Sequence, residues 1–139
     1  MKHQTGALLL VALIAYGVAS LFHFTHNAVF IDAYPNLPAS LTPARVYLAW
    51  VVEAALGVCG YILVTRGLRL LGLSMIALYA ALGFDGLAHY SLAPMSAHTI
   101  AMNLTIWCEV LAATVLLFVL AREFHQQYLL LCTGKDSRE

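Results

Sequence analysis

The chain has 139 residues, 62% hydrophobic and 10% charged, with a mean hydropathy of +0.83, whereas soluble domains run at roughly 45–50% apolar and 25% charged. A water-soluble fold of this length has too little interior to hide so much apolar surface. Seven Lys plus Arg balance seven Asp plus Glu, so no basic excess points to nucleic acid and net charge is silent about partners other than a lipid bilayer.

In chain order, residues 6–24 hold no formally charged residue if His23 is neutral. About 20 apolar residues suffice to cross a hydrocarbon core of about 30 Å, which predicts a first membrane span. Residues 46–65 carry one charge, Glu53; residues 70–88 carry Asp85; residues 99–121 carry Glu109. These predict spans two, three and four. The expected fold is therefore all-α, a single-domain integral membrane four-helix bundle over residues 1–139, with residues 122–139 an interfacial helix that ends in a disordered tail.

The loops orient it, because Lys and Arg beside span ends are retained in the cytoplasm. Lys2, Arg66, Arg69, Arg122, Lys135 and Arg138 agree on one side, and only Arg45 lies on the other. This predicts both termini cytoplasmic and a bacterial inner-membrane location. A signal peptide ending near Ala19-Ser20 is the alternative reading of the first span, but the apolar run continues to Phe24. The first outer loop, with Pro35, Pro38 and Pro43, is too apolar to float free, and is expected to fold back over the bundle mouth and bring Asp32 near it. Cys59, Cys108 and Cys132 form no CxxC pair and read as small core hydrophobes or spare thiols.

On this topology the ionisable residues collect in the outer half: His23 and His26 end span one, Asp85 and His89 end span three, and His98 opens span four. At 1.5 Å per residue, Glu53 lies about 12 Å below Arg45 and Glu109 about 16 Å below His98, both near mid-membrane. Asp85 and His89, spaced i and i+4, are expected to share a face. His98, Met102, Thr105 and Glu109 form one stripe; Glu53, Gly57 and Gly60 form another, whose small residues admit a close helix neighbour; Tyr16, Ser20 and His23 form a third. An ionised side chain at mid-bilayer costs about 2.5–3.5 kcal/mol on insertion scales, so these acids must be protonated, paired with histidine or bound to a cation.

Imidazole with carboxylate is a ligand set for copper, iron or zinc, and the metal candidates are His23, His26, Asp85, His89 and His98. The Asp85-x3-His89 pair followed by His98 resembles the Asp-His-His site in the membrane C subunit of copper-dependent methane and ammonia monooxygenases. The resemblance covers those three residues only. The interval to His98 is shorter here and the chain smaller than that subunit; what it implies is that such a triad holds copper.

The leading expectation is thus a metal-binding membrane enzyme, such as an oxidoreductase, or a metal-handling protein, with an outward-facing His/Asp/Glu pocket. A metal-free acid/base enzyme of isomerase type is the first alternative, with Glu53, Asp85 and Glu109 as catalytic candidates moving protons on a lipophilic substrate. A bis-histidine haem protein and an accessory subunit of a larger membrane complex, or a homo-oligomer, are the others. Asn103-Leu104-Thr105 matches a glycosylation sequon, but inside span four Asn103 is expected to bond a neighbouring helix instead.

Overall fold

A computed structural model describes residues 2–136. It is all-helical, with no strand among the described residues. The helices are α1 (Lys2–Val29), α2 (Pro43–Thr65), α3 (Arg69–Leu82), the single turn α4 (His89–Leu92) and α5 (Ile100–Asp136). Four segments are long and apolar enough to cross a membrane: Gly6–Val29, Pro43–Thr65, Arg69–Leu92 and Ile100–Cys132. The chain runs up and down, and each long helix packs on two others, α1 on α2 and α5, and α3 on α2 and α5.

Local chemistry sets the boundaries. Thr42, in extended conformation, caps α2 by accepting from the Arg45 amide, and Pro43 sits at the first helical position, where its missing N–H leaves nothing unsatisfied. Between α2 and α3, Gly67 adopts φ +89°, a left-handed conformation that glycine reaches without penalty and that turns the chain back sharply.

The aliphatic core lies in the half of the bundle away from the histidines. Leu9 and Leu13 of α1, Leu73 and Ile76 of α3, and Leu116 and Leu120 of α5 meet there. The α2–α3 contact is closer still, as the small-residue stripe on α2 predicts. A Cβ on Gly72 would stand 2.5 Å from the Gly60 carbonyl oxygen, and one on Gly57 would stand 2.5 Å from the Tyr79 ring. Below the core, Arg69 at the start of α3 is ion-paired with Glu123 of α5, whose side chain is 1% exposed.

Outside, the surface is apolar on every long helix, with Val11, Phe22, Val52, Leu78, Leu111 and Phe118 all more than half exposed. Helices that are apolar all round belong in an apolar surrounding. Cys59, Cys108 and Cys132 are exposed free thiols, which corrects the core reading: the bundle interior is filled by larger side chains and glycine contacts, and these small residues fall on the outward faces. The tail helix is continuous with the fourth span, since α5 runs unbroken to Asp136; Arg138 and the expected terminal disorder lie outside the described residues.

Candidate functional site

At the end of the bundle where α1 finishes and α5 begins, a polar pocket is built on three stripes. From α1 come Ser20, His23 and Asn27, spaced three and four so that they share a face, and all are buried. Thr105 and Glu109 come from α5, and His89 and His98 from the segment joining α3 to α5. His23 is 3% exposed and Glu109 1%, and His23 Nε2 stands 3.7 Å from Glu109 Oε2. The His23 and His89 ring centres are 5.6 Å apart, and those of His89 and His98 6.1 Å apart.

The hydrogen bonds assign the tautomers. Thr105 Oγ1 spends its proton on the Met102 carbonyl at 3.0 Å, so toward His23 Nδ1, 3.3 Å away, it accepts. His98 Nδ1 lies 3.1 Å from the Pro94 carbonyl oxygen, which only accepts. Both rings therefore carry hydrogen on Nδ1, and neutral imidazoles so held keep a lone pair on Nε2. For His98 that atom is buried and unpartnered. His89 Nε2 bonds the Asn27 amide at 3.2 Å, leaving its Nδ1 unpartnered.

Among the described residues, nine buried side-chain polar atoms find no partner, and six of them belong to this pocket: Ser20 Oγ, Asn27 Oδ1, His89 Nδ1, His98 Nε2 and both Glu109 oxygens. Each such atom costs about 1–3 kcal/mol when left unmet.

The first connection closes the mouth. Tyr34, 4% exposed, lays its ring on His89 at 4.8 Å between centres and shares a 2.9 Å hydrogen bond with His26 Nδ1. Asn36, at φ +59°, donates to the Leu92 carbonyl at 2.9 Å and fastens the loop to the far rim. Burial pushes the Tyr34 hydroxyl up to about 12, so it stays neutral in the closed loop. On the other rim, Asn103 accepts from the Tyr90 hydroxyl at 2.8 Å and donates to the Met95 and His98 carbonyls, which fixes the His98 turn on α5.

Of the sequence-derived site residues, the structure gathers His23, His89, His98 and Glu109. His26 sits in the rim and engages Tyr34. Asp32 is exposed and stays out although its loop does fold over the mouth. Asp85 also stays out. The helix gives way after Leu82 to Gly83 and Phe84 amides bonded three residues back, then to a 3₁₀ turn over Asp85–Ala88. Four residues advance about 40° past a full turn in an α-helix but about 120° at three residues per turn, so His89 is buried while Asp85 faces outward. Glu53 is half-buried, with Oε2 unpartnered, and lies close enough to Asp85 and Glu109 to interact electrostatically with both.

Asn27, Thr105 and Tyr34 complete the pocket. The first was legible as the next member of the α1 stripe, and Thr105 already stood on the α5 stripe; nothing in the loop sequence singled out Tyr34.

No three His, Cys, Asp or Glu side chains converge closely enough to hold a metal ion among the described residues. The chain matches no known protein family, no curated protein and no solved structure, so the pocket's own chemistry carries the functional reading.

Proposed function

We propose that the four apolar helices span a membrane with both ends cytoplasmic, and that the outer pocket is an acid/base site working on a lipophilic molecule. The membrane reading is supported by the all-round apolar surface and by Arg66, Arg69 and Arg122 at one end of the bundle against Arg45 alone at the other. The observation that carries the chemistry is the pair at its centre: a His23 Nε2 lone pair facing a Glu109 oxygen across 3.7 Å, both buried. Two lone pairs held face to face call for a proton between them, and we place it on Glu109.

Glu109 then serves as the acid and His23 as the base. Glu109 delivers a proton to one atom of the bound molecule, His23 removes one from another, and the proton returns from His23 to Glu109. No reductant or oxidant is consumed, so the reaction class is a proton rearrangement, an isomerisation.

Infrared spectroscopy of detergent-purified protein tests this. A protonated-carboxyl band present at neutral pH and abolished by Glu109→Gln is the expected result; its absence from the unaltered protein would overturn the reading. Topology is checked with reporters fused after Asp136 and within residues 36–41: cytoplasmic activity for the first and external activity for the second are expected.

A second reading, a transition-metal site for copper, iron or zinc, is favoured by His98. A ligating histidine ordinarily donates its other ring N–H to a carbonyl or carboxylate, which fixes the tautomer, and His98 is held that way by Pro94. His89 and His23 would be the other imidazole ligands, with ring centres 6.1 Å from His98 to His89 and 5.6 Å from His89 to His23. Stoichiometric metal that is lost in both His23→Ala and His98→Ala would favour it over the metal-free site.

A further inference from the structure

The glycines differ in why the fold keeps them. A Cβ on Gly57, Gly60, Gly72 or Gly83 would stand under 3.0 Å from a neighbour, so close packing requires each of these. Gly67 is required by its φ of +89°. Gly86 is required by neither. It is buried in the 3₁₀ turn after α3, and its φ lies outside the left-handed range. A Cβ there would rest 3.5 Å from Glu109 Oε2, 3.5 Å from Ile106 Cγ2 and 3.6 Å from His23 Nε2, all ordinary contact distances. A methyl group fits, so the pocket wall that faces the His23–Glu109 pair is set back by about one carbon's width because residue 86 is glycine.

Both polar atoms bordering this space belong to buried side chains, His23 at 3% and Glu109 at 1% exposed, and neither Glu109 oxygen has a partner. At 3.7 Å they are too far apart to bond each other. One oxygen beside them can still reach both at about 2.8 Å, as bridging groups do across such gaps. With Glu109 protonated and the His23 Nε2 lone pair free, the first donates and the second accepts. A carbonyl or ether oxygen meets only the acid's proton, and an ammonium only the imidazole lone pair. A hydroxyl accepts from the one and donates to the other. The Ile106 methyl makes the third side apolar. We infer that the space beside Gly86 receives the hydroxyl group of a lipid-soluble alcohol, which names the substrate class of the acid/base pocket. The inference rests on that reading for the proton on Glu109.

The test follows the Glu109 carboxyl band by infrared spectroscopy of the full chain in detergent, titrated with 1-decanol and separately with decane. Expected is a saturable shift of the band with decanol and none with decane. Gly86→Ala fills the space without a clash, so it should keep the thermal midpoint and weaken the decanol response by about tenfold or more. Gly6→Ala, where a Cβ meets nothing within 4 Å, should leave the response intact. Gly86→Ser brings its own hydroxyl to the same place, and should move the band before any alcohol is added and abolish the response to it. A band that moves equally with decanol and decane, or equally in the unaltered and Gly86→Ala proteins, overturns the hydroxyl site. An O–H stretching band that shifts in 18O-labelled water, is lost in Gly86→Ala and ignores decanol means that water alone fills the space, and overturns the alcohol. Failure of the acid/base reading shows separately, as no protonated-carboxyl band in the unaltered protein before any probe is added.

Discussion

At the scale of single residues, the pocket is organised by what each hydrogen bond forbids. Pro94 offers only a carbonyl to His98, and Thr105 has already given its proton to Met102, so two imidazoles present lone pairs to the interior without any charge being needed. Thr105→Val removes the acceptor that holds His23 Nδ1 while keeping the shape. The expected outcome is a changed His23 tautomer, read in the ring 15N shifts, and a shifted infrared carboxyl band from Glu109 in a protein that folds normally. Tyr34 gives a prediction in pH. Its hydroxyl is raised from 10.0 to about 12 by burial in the closed loop. The closed loop's stability from this group is therefore complete below pH 10 and is lost as pH rises through about 12. Tyrosinate absorbance of the unaltered protein minus that of Tyr34→Phe should show one late-titrating tyrosine in that window. A Tyr34 that titrates at the ordinary value would mean an open loop.

At the scale of elements, the spans were legible because apolar length alone determines them, and the stripes on α1, α2 and α5 were legible because those helices are unbroken; His98, read as the head of the α5 stripe, instead precedes that helix in extended backbone. The stripe after α3 was not. Reading Asp85 and His89 as one face assumes 3.6 residues per turn, and the tightening at Gly83 rotates Asp85 away; the pattern held the residues but not the pitch. Tyr34 was hidden for another reason, since its position depends on a loop closing over a mouth that three other elements form. The α2–α3 contact makes a sharp prediction. Gly72→Ala drives a methyl group against the Gly60 carbonyl and the Val64 amide at 2.5 and 2.7 Å, backbone atoms that cannot step aside. Overpacking of this kind costs about 1–3 kcal/mol, seen as a lower thermal midpoint in detergent. Gly6→Ala meets nothing within 4 Å and should be neutral or stabilising by about 0.5–1 kcal/mol, as an alanine replacing glycine in a helix.

At the scale of the whole molecule, the two ends of the bundle are held by different means. One end is a neutral polar pocket under a loop; the other is fastened by the Arg69–Glu123 pair beneath the aliphatic core. Arg69→Ala leaves the Glu123 carboxylate buried without its cation. Losing one partner of a buried pair costs about 3–5 kcal/mol, here toward the lower figure because Arg69 is 33% exposed. The double variant Arg69→Met with Glu123→Leu should recover most of the thermal midpoint, since it removes the stranded charge along with the pair. The loop at the opposite end bears on rates. With Tyr34 seated on His89 and Asn36 fastened to Leu92, the proposed pocket is closed at its mouth, and a molecule entering there would wait for those contacts to break. Entry by that route is a gated process: its observed rate climbs with ligand concentration and then levels off at the opening rate of the loop. Asn36→Gly, which keeps the left-handed backbone and deletes only the side-chain tie, should raise that plateau and shorten residence time by a similar factor, leaving the equilibrium affinity nearly unchanged.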